Sequence, residues 1–380
     1  MSLRQVEILR TQGPVNNLVA HMPMIAHISP EVLEMILQNL SSCPTSLRHV
    51  ATCSHQFQQE AERVLYASVA LSSSQPLCEV FLSSLRAQGQ GQIRCKIVRE
   101  LDLSMDLTSE MLHQVLLLTQ NIHRLKIRGS WPGDLTRIHL LPKDAAYSFQ
   151  LTHFVMMYTA AGAVDLVAFL ASQATIFDLD LPYNPSQIQG AWASCPKNIL
   201  PNLAVASLSI DIATVLLPGR SVRDLCVLYQ ASRSEDLAKA IAAAKAPIRE
   251  LSLHTDTLTA AGLSVMSSSL CELATLRLFD IKGAPSLVQT YDWLAGLTEY
   301  RKLEELFLGL WSPLTPRRVM NAMGRYHGNC PTLTRLVVHL VDEEMRTGED
   351  PTLYEYDESL KTWVYYEYDE DVGGWMSVYY

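Results

Sequence analysis

From Ile28 the chain reads ISPEVLEMILQNL, with apolar residues at Ile28, Val32, Leu33, Ile36, Leu37 and Leu40 separated by four, one, three, one and three positions. That spacing predicts one apolar face of a helix. Ser29 suits the N-cap and Pro30 the first helical position, where a missing N–H costs nothing; Glu31 lies at the positive end of the helix dipole. Pro44 and Thr45 open a second predicted helix, with Leu47, Val50 and Ala51 on one side and an end near Ser54. A third is predicted from about His55 to Tyr66, with Phe57, Ala61, Val64 and Leu65 on its apolar face. Gln56, Gln59, Glu60, Glu62 and Arg63 lie opposite. A bundle of three such helices, about forty residues in all, is too small to be very stable alone, so a partner is expected.

The pattern then changes. Ser68-Val69-Ala70-Leu71 is strand-like, and a short Leu-x-Leu type of signature recurs: RELDLS at 99, HRLKIR at 123, THFVMM at 152, FDLDLP at 177, ASLSID at 206, RDLCVL at 223, RELSLH at 249, ATLRLF at 274, EELFLG at 304 and TRLVVH at 334. Taking Leu101, Leu125, Phe154, Leu179, Leu208, Leu225, Leu251, Leu276, Leu306 and Leu336 as reference positions, the steps are 24, 29, 25, 29, 17, 26, 25, 30 and 30. Apart from the 17, these fit leucine-rich repeats with helical returns. The short step leaves little room for a helix, and Leu216, Leu217, Pro218 and Gly219 read as a loop. Elsewhere helices are predicted over Thr108 to Leu118, Gly162 to Ala171 and the Ala-rich Glu235 to Lys245. The expected fold is α/β: a small N-terminal three-helix module, then an irregular, curved leucine-rich-repeat solenoid with parallel strands and outer helices. The leucines of each signature point inward and the residues between them toward the concave side. This places Asp102, Lys126, Asp180, Ser209, Ser252, Arg277, Phe307 and Val337 in or near one row. Asp102, Lys126, Asp180, Arg277 and Phe307 are the target-binding candidates.

The N-terminal strings ISPEVLEMILQNL and SLRHVATCSHQFQQEAERVLYASVAL resemble the F-box of fungal, basidiomycete-type F-box proteins. The family's opening Leu-Pro corresponds to Ile28-Ser29-Pro30, followed by Glu31, Val32, Leu33, Ile36 and Leu40; its Leu-x-x-Val-x-x-Cys-Ser stretch corresponds to Leu47, Val50, Cys53 and Ser54. The departures are the inserted Ser29 and Gln56-Phe57, where many members carry Arg-Trp. The resemblance implies binding to a Skp-type adaptor, which joins the chain to a cullin scaffold and a ubiquitin-conjugating enzyme. Carried over, Ile28, Pro30, Leu33, Ile36 and Leu37 are the adaptor-facing candidates; the alternative reading is that several of them simply hold the three helices together. The expected segments are an N-terminal extension (1–24), the F-box-like module (25–67), the repeat array (68–345) and an acidic, aromatic C-terminal cap or tail (346–380).

Composition narrows the picture. Apolar residues make up 48% and charged residues 18% of the chain, as in a core-forming protein. Met1 to Val19 is interrupted by Gln5, Glu7, Arg10, Gln12, Gly13 and Pro14, unlike a signal peptide, and no later run approaches the ~20 apolar residues that span a bilayer. An intracellular location, cytoplasmic or nuclear, is expected. The eight cysteines form no Cys-x-x-Cys pair, so neither a zinc site nor a disulfide framework is expected. The net charge of -9 is concentrated in the last 32 residues, leaving a nearly neutral body unsuited to a phosphate backbone. Motifs for an acyl nucleophile, a phosphate loop, a zinc protease or a dinucleotide fold are missing, so neither catalysis nor a cofactor is expected. The tail is a tandem imperfect repeat, EYDESLKTWVYY and EYDEDVGGWMSVYY. Its Tyr and Trp favour strands, and a small β-meander capping the last repeat is expected in preference to a disordered acidic tail.

Two readings follow. In one, the chain is the substrate receptor of an SCF-type ubiquitin ligase, the F-box holding the adaptor and the repeats an unknown target protein. In the other, it is a repeat scaffold for protein interaction that acts outside any ligase.

Overall fold

The computed structural model describes residues 29–40, 43–71, 75–104, 109–128, 147–157, 163–181, 192, 195–196, 198–228, 231–254, 260–281, 296–310, 331–340, 352–357, 362–369 and 374–378. They fall into two compact units, Met1–Ile176 and Phe177–Tyr380.

The first unit opens with α1 (Pro30–Asn39), α2 (Pro44–Ala51) and α3 (His55–Ala67). The Ser29 hydroxyl accepts the Val32 N–H at 3.4 Å, and Ser54 accepts that of Phe57 at 3.2 Å, so both helices start on a side-chain cap. Leu33 and Leu37 of α1, Leu47 of α2 and Ala61 of α3 form the bundle core, with Leu40, Val50, Ala51, Phe57, Val64 and Leu65 packed around it. Helix α3 runs straight into β1 (Ser68–Leu71), which pairs in parallel with β2 (Glu100–Ser104).

Between those strands lie α4 (Gln75–Arg86) and α5 (Gln90–Ile97), joined through Gly89, Gln90 and Gly91. The two glycines make a tight corner. Gly89 adopts φ 73°, a left-handed backbone that side chains disfavour. A Cβ at Gly91 would lie 2.3 Å from the Leu85 carbonyl oxygen, so α4 and α5 approach as only glycine permits. The corner also anchors the bundle: Arg94 of α5 donates to both oxygens of Glu62 on α3 at 3.2–3.3 Å, and its guanidinium lies 5.1 Å from the Tyr66 ring centroid. The unit continues through α6 (Ser109–Leu118), β3 (Arg124–Arg128), β4 (His153–Met156) and α7 (Ala163–Ser172), with β1 to β4 in one parallel ladder.

In the second unit β5 (Asp178–Leu181), β6 (Val205–Ser209), β7 (Asp224–Leu228), β8 (Glu250–His254), β9 (Thr275–Ile281), β10 (Glu305–Leu310) and β11 (Arg335–Leu340) form a parallel ladder. Helices α8 (Ile210–Leu216), α9 (Ser234–Ala242) and α10 (Ala260–Ser267) lie in its returns. This alternation of parallel strands with helical returns fits a leucine-rich-repeat array.

A six-residue apolar signature, longer than Leu-x-Leu, underlies the rungs from β2 to β10. It runs from Val98-x-x-Leu101-x-Leu103 through Ile122, Leu125 and Ile127 to Leu303, Leu306 and Leu308, all buried. Its first residue sits in the turn ahead of the strand and the other two on the strand's inner side, so each rung buries three apolar side chains against its neighbours. The turns repeat as well: the Arg99, His123, Ala204, Arg223, Arg249, Ala274 and Glu304 carbonyls each accept two successive N–H groups from the next rung. Backbone groups entering each strand are thereby satisfied without side-chain help.

The signature corrects the expected register at β6. Leu179 pairs with Ala206, and Ala206 with Leu225, so the reference position is Ala206 and not Leu208. Counted from Ala206 the next step is 19 residues, from 206 to 225, which leaves room for α8 where a loop was expected. Leu216 closes that helix, and Gly219, at φ 76°, turns the chain.

The acidic aromatic repeat folds as antiparallel strands. β12 (Thr352–Asp357) pairs with β11, β13 (Thr362–Asp369) with β12, and β14 (Gly374–Val378) with β13. Tyr354 takes the inner position opposite Leu336 and is buried like the leucines before it; Trp363 and Val364 are buried on β13. Both copies of the repeat place tyrosine opposite tryptophan, Tyr356 with Trp363 and Tyr368 with Trp375.

Candidate functional site

Helix α1 carries two apolar surfaces. Leu33 and Leu37 are 1% and 0% exposed inside the bundle, whereas Val32, Met35 and Ile36 are 44%, 58% and 45% exposed. At about 100° per residue, positions 32, 35 and 36 form one stripe and 33, 37 and 40 another. Of the adaptor-facing candidates, then, Ile36 lies on the outward stripe. Leu33 and Leu37 belong to the internal packing, the structural role that the sequence also allowed. Pro30 begins the helix, and Ile28 lies outside the described residues. Val32 and Met35 were missed, although one signal was available. The apolar residues from Val32 to Leu40 cover an arc of about 200°, twice what one core-facing stripe needs.

The second surface is the outward side of the strands, where half-buried residues alternate with the buried apolar ones. In the first unit Asp102 and Lys126 stand side by side, flanked by Ala70 and Val155. Two ion pairs cross the same strands, Arg124–Glu100 at 3.2 Å and Arg128–Asp102 at 3.0 Å. In the second unit Asp180, Ser207, Cys226, Ser252, Arg277, Phe307 and Val337 form one continuous row. The structure thus aligns Asp180, Arg277 and Phe307 as expected and corrects Ser209. That serine is buried two positions further along β6, and Ser207 occupies the row. Cys226, absent from the expected row, fills the gap between Ser207 and Ser252.

Charge and apolar character separate along this second face. Toward the start of the strands lie Asp178, Asp224, Glu250 and Glu305. Arg277 pairs with Glu250 and Arg335 with Glu305, both at 2.9 Å. Burial, reinforced by the neighbouring Glu250 carboxylate, raises the Asp224 pKa above the usual carboxylate value. Toward the strand ends the His254 ring stacks on Phe279 at 4.8 Å, and Phe279 lies 5.1 Å from Phe307.

Among the described residues no group of three or more His, Cys, Asp or Glu side chains could hold a metal ion, and no helix is long and apolar enough to cross a membrane. Cys78 and Cys95 are buried and Cys43, Cys53 and Cys271 exposed, all as free thiols.

No protein-family model matches the chain, and no curated protein does. Solved structures similar to it include a leucine-rich repeat-containing protein, LegL7, from Legionella pneumophila, at 16% identity and a TM-score of 0.41, covering 73% of this chain and 83% of that one. A second is the yeast complex of Rad7 and Elc1, at 15% identity and a TM-score of 0.39, covering 81% of this chain and 82% of the matched one.

Proposed function

We propose that the chain is a non-catalytic receptor subunit of an SCF-type ubiquitin ligase. The N-terminal bundle holds a Skp-type adaptor, and through it a cullin, while the outward strand face holds a target protein. The mechanism is proximity: tethering raises the target's effective concentration beside the ubiquitin donor. The observation that carries this reading is the stripe Val32, Met35 and Ile36, exposed on a helix whose other side already fills the bundle core. These side chains are about half exposed, so covering them with a partner contributes roughly half of the ~1.5–3 kcal/mol of full burial for each, which is the support so small a bundle lacks. The F-box resemblance of the same residues points to the adaptor as that partner.

Placing Leu33 inside the core decides which substitution is informative. Leu33→Glu would bury an unpaired charge and unfold the bundle, losing any partner for that reason alone. The double variant Met35→Glu/Ile36→Glu changes only the stripe. Its stability is expected within about 0.5 kcal/mol of the original for each change, and its retention on an immobilised Skp-type adaptor at least tenfold lower. Full retention by the folded double variant removes the stripe from the interface. If the unaltered chain retains no adaptor where a control F-box protein does, the ligase reading fails and the scaffold reading takes its place.

A further inference from the structure

The outward side of β3 carries three cations in a row. Arg124, Lys126 and Arg128 alternate with buried Leu125 and Ile127, so all three project from the same face of the ladder. The neighbouring strand β2 answers with only two carboxylates. Glu100 takes Arg124 at 3.2 Å, and Asp102 takes Arg128 at 3.0 Å. Asp102 stands opposite Lys126 in the ladder, yet its carboxylate is held by Arg128. On the other flank β4 brings no carboxylate: His153 stands beside Arg124 and Val155 beside Lys126. Among the described residues the Lys126 ammonium, half-buried between the two arginines, has no ion pair or hydrogen bond. The same holds for the exposed guanidinium of Arg99 in the turn ahead of β2.

This part of the face therefore sets four cations against two anions, and both anions are already engaged. Like charges held side by side on a sheet repel, so an anion set among them gains an attraction that the protein's own groups leave unused. The gain is larger at Lys126 than at Arg99, because less water screens a half-buried charge. The arrangement also selects the kind of anion. A nucleic-acid backbone brings a phosphate at every step and would set some of them against Glu100 and Asp102, which are partly exposed within the patch. A peptide can carry carboxylates only where unmatched cations await them. Lys126 lies one strand across and three residues along from Arg99. With strands about 4.8 Å apart and a rise of about 3.3 Å per residue, the two are separated by about 11 Å. That distance corresponds to about three residues of extended chain.

We infer that the outward face of β2 and β3 takes an acidic peptide segment of a partner protein, with one Asp or Glu set on Lys126 and a second, about three positions away, on Arg99. The inference rests on the reading that the strand face holds the target, and it names the chemistry of what is held.

The test is a random dodecapeptide library selected on the purified full-length chain. Enriched peptides should carry two Asp or Glu residues about three positions apart. The double variant Arg99→Gln/Lys126→Met breaks no ion pair, and circular dichroism verifies its fold. It should bind an enriched peptide about tenfold more weakly and with less salt dependence. Lys239→Met/Lys245→Met removes the same charge from α9 and the turn after it, and should leave binding within about twofold. Enrichment of basic or uncharged peptides, no enrichment, equal binding by the folded Arg99→Gln/Lys126→Met variant, or equal weakening by the control variant would overturn the inference. Displacement of the enriched peptide by a lower concentration of oligothymidine would also overturn it and assign the face to nucleic acid. Adaptor retention by the unaltered chain is measured in parallel. Peptide selection without adaptor retention sinks the ligase reading and leaves this one standing; the converse sinks this one alone.

Discussion

The helical bundle and the strand ladder answer the same requirement, burial of apolar surface, at very different scales. The bundle core rests on Leu33, Leu37, Leu47 and Ala61 with a ring of partly buried neighbours. The ladder repeats one apolar signature, so each of its inner residues is supported by a rung on either side. The contrast teaches that local robustness follows from repetition, since a rung shares its core with two neighbours and the bundle shares its own with none. It also explains why the Glu62–Arg94 contact matters: it fastens the bundle to α5, beside the first strands.

The comparison can be broken by deletion of single side chains. Leu37→Ala removes a fully buried side chain and is expected to cost about 2–5 kcal/mol. Limited proteolysis should then cut within residues 29–67 while the strands from β5 onward stay protected. Simultaneous loss of both would show that bundle and ladder unfold together. Gly91→Ala probes the joint between them. With a Cβ forced to 2.3 Å from the Leu85 carbonyl oxygen, α4 and α5 must part, at an expected cost of about 1–3 kcal/mol read as a lowered melting midpoint. An unchanged midpoint would mean that this corner yields without strain.

The smallest effect is chemical. Burial pushes the Cys78 thiol up to about 11, while the Ser46 hydroxyl lowers the Cys43 thiol below its ordinary value. Near neutral pH iodoacetamide should modify exposed Cys43 well before Cys78, because the thiolate is the reactive form. Cys78 labelling as fast as Cys43 in the native chain would place α4 in an open state.

The ladder was legible in the sequence because its period is short and its signature strong: all ten Leu-x-Leu stretches are strands. One register was missed for a physical reason. Ala206 stands where other rungs carry Leu or Phe, and the eye moves to Leu208; the preceding Leu203, the turn residue of the signature, marks the true position. Helices α4 and α5 were hidden by glycines that look like a linker and act as a corner. In α1 the helical period identified apolar residues but not which of two adjacent stripes faces inward, because that depends on where α2 and α3 pack. The candidate face was half legible for a similar reason. Alternation along a strand assigns sides, but the meeting of His254, Phe279 and Phe307 depends on pairing between strands far apart in the chain.

The paired tyrosine and tryptophan of the C-terminal repeat bear on the order in which the molecule folds. Tyr356 meets Trp363, and Tyr368 meets Trp375, across seven residues of chain, whereas neighbouring rungs such as Leu276 and Leu306 must close thirty. A loop about four times shorter closes at an entropic cost lower by about 1.2 kcal/mol, and hairpins form within microseconds. The cap strands are therefore among the first able to pair. They would give the final rung a ready edge on which to settle.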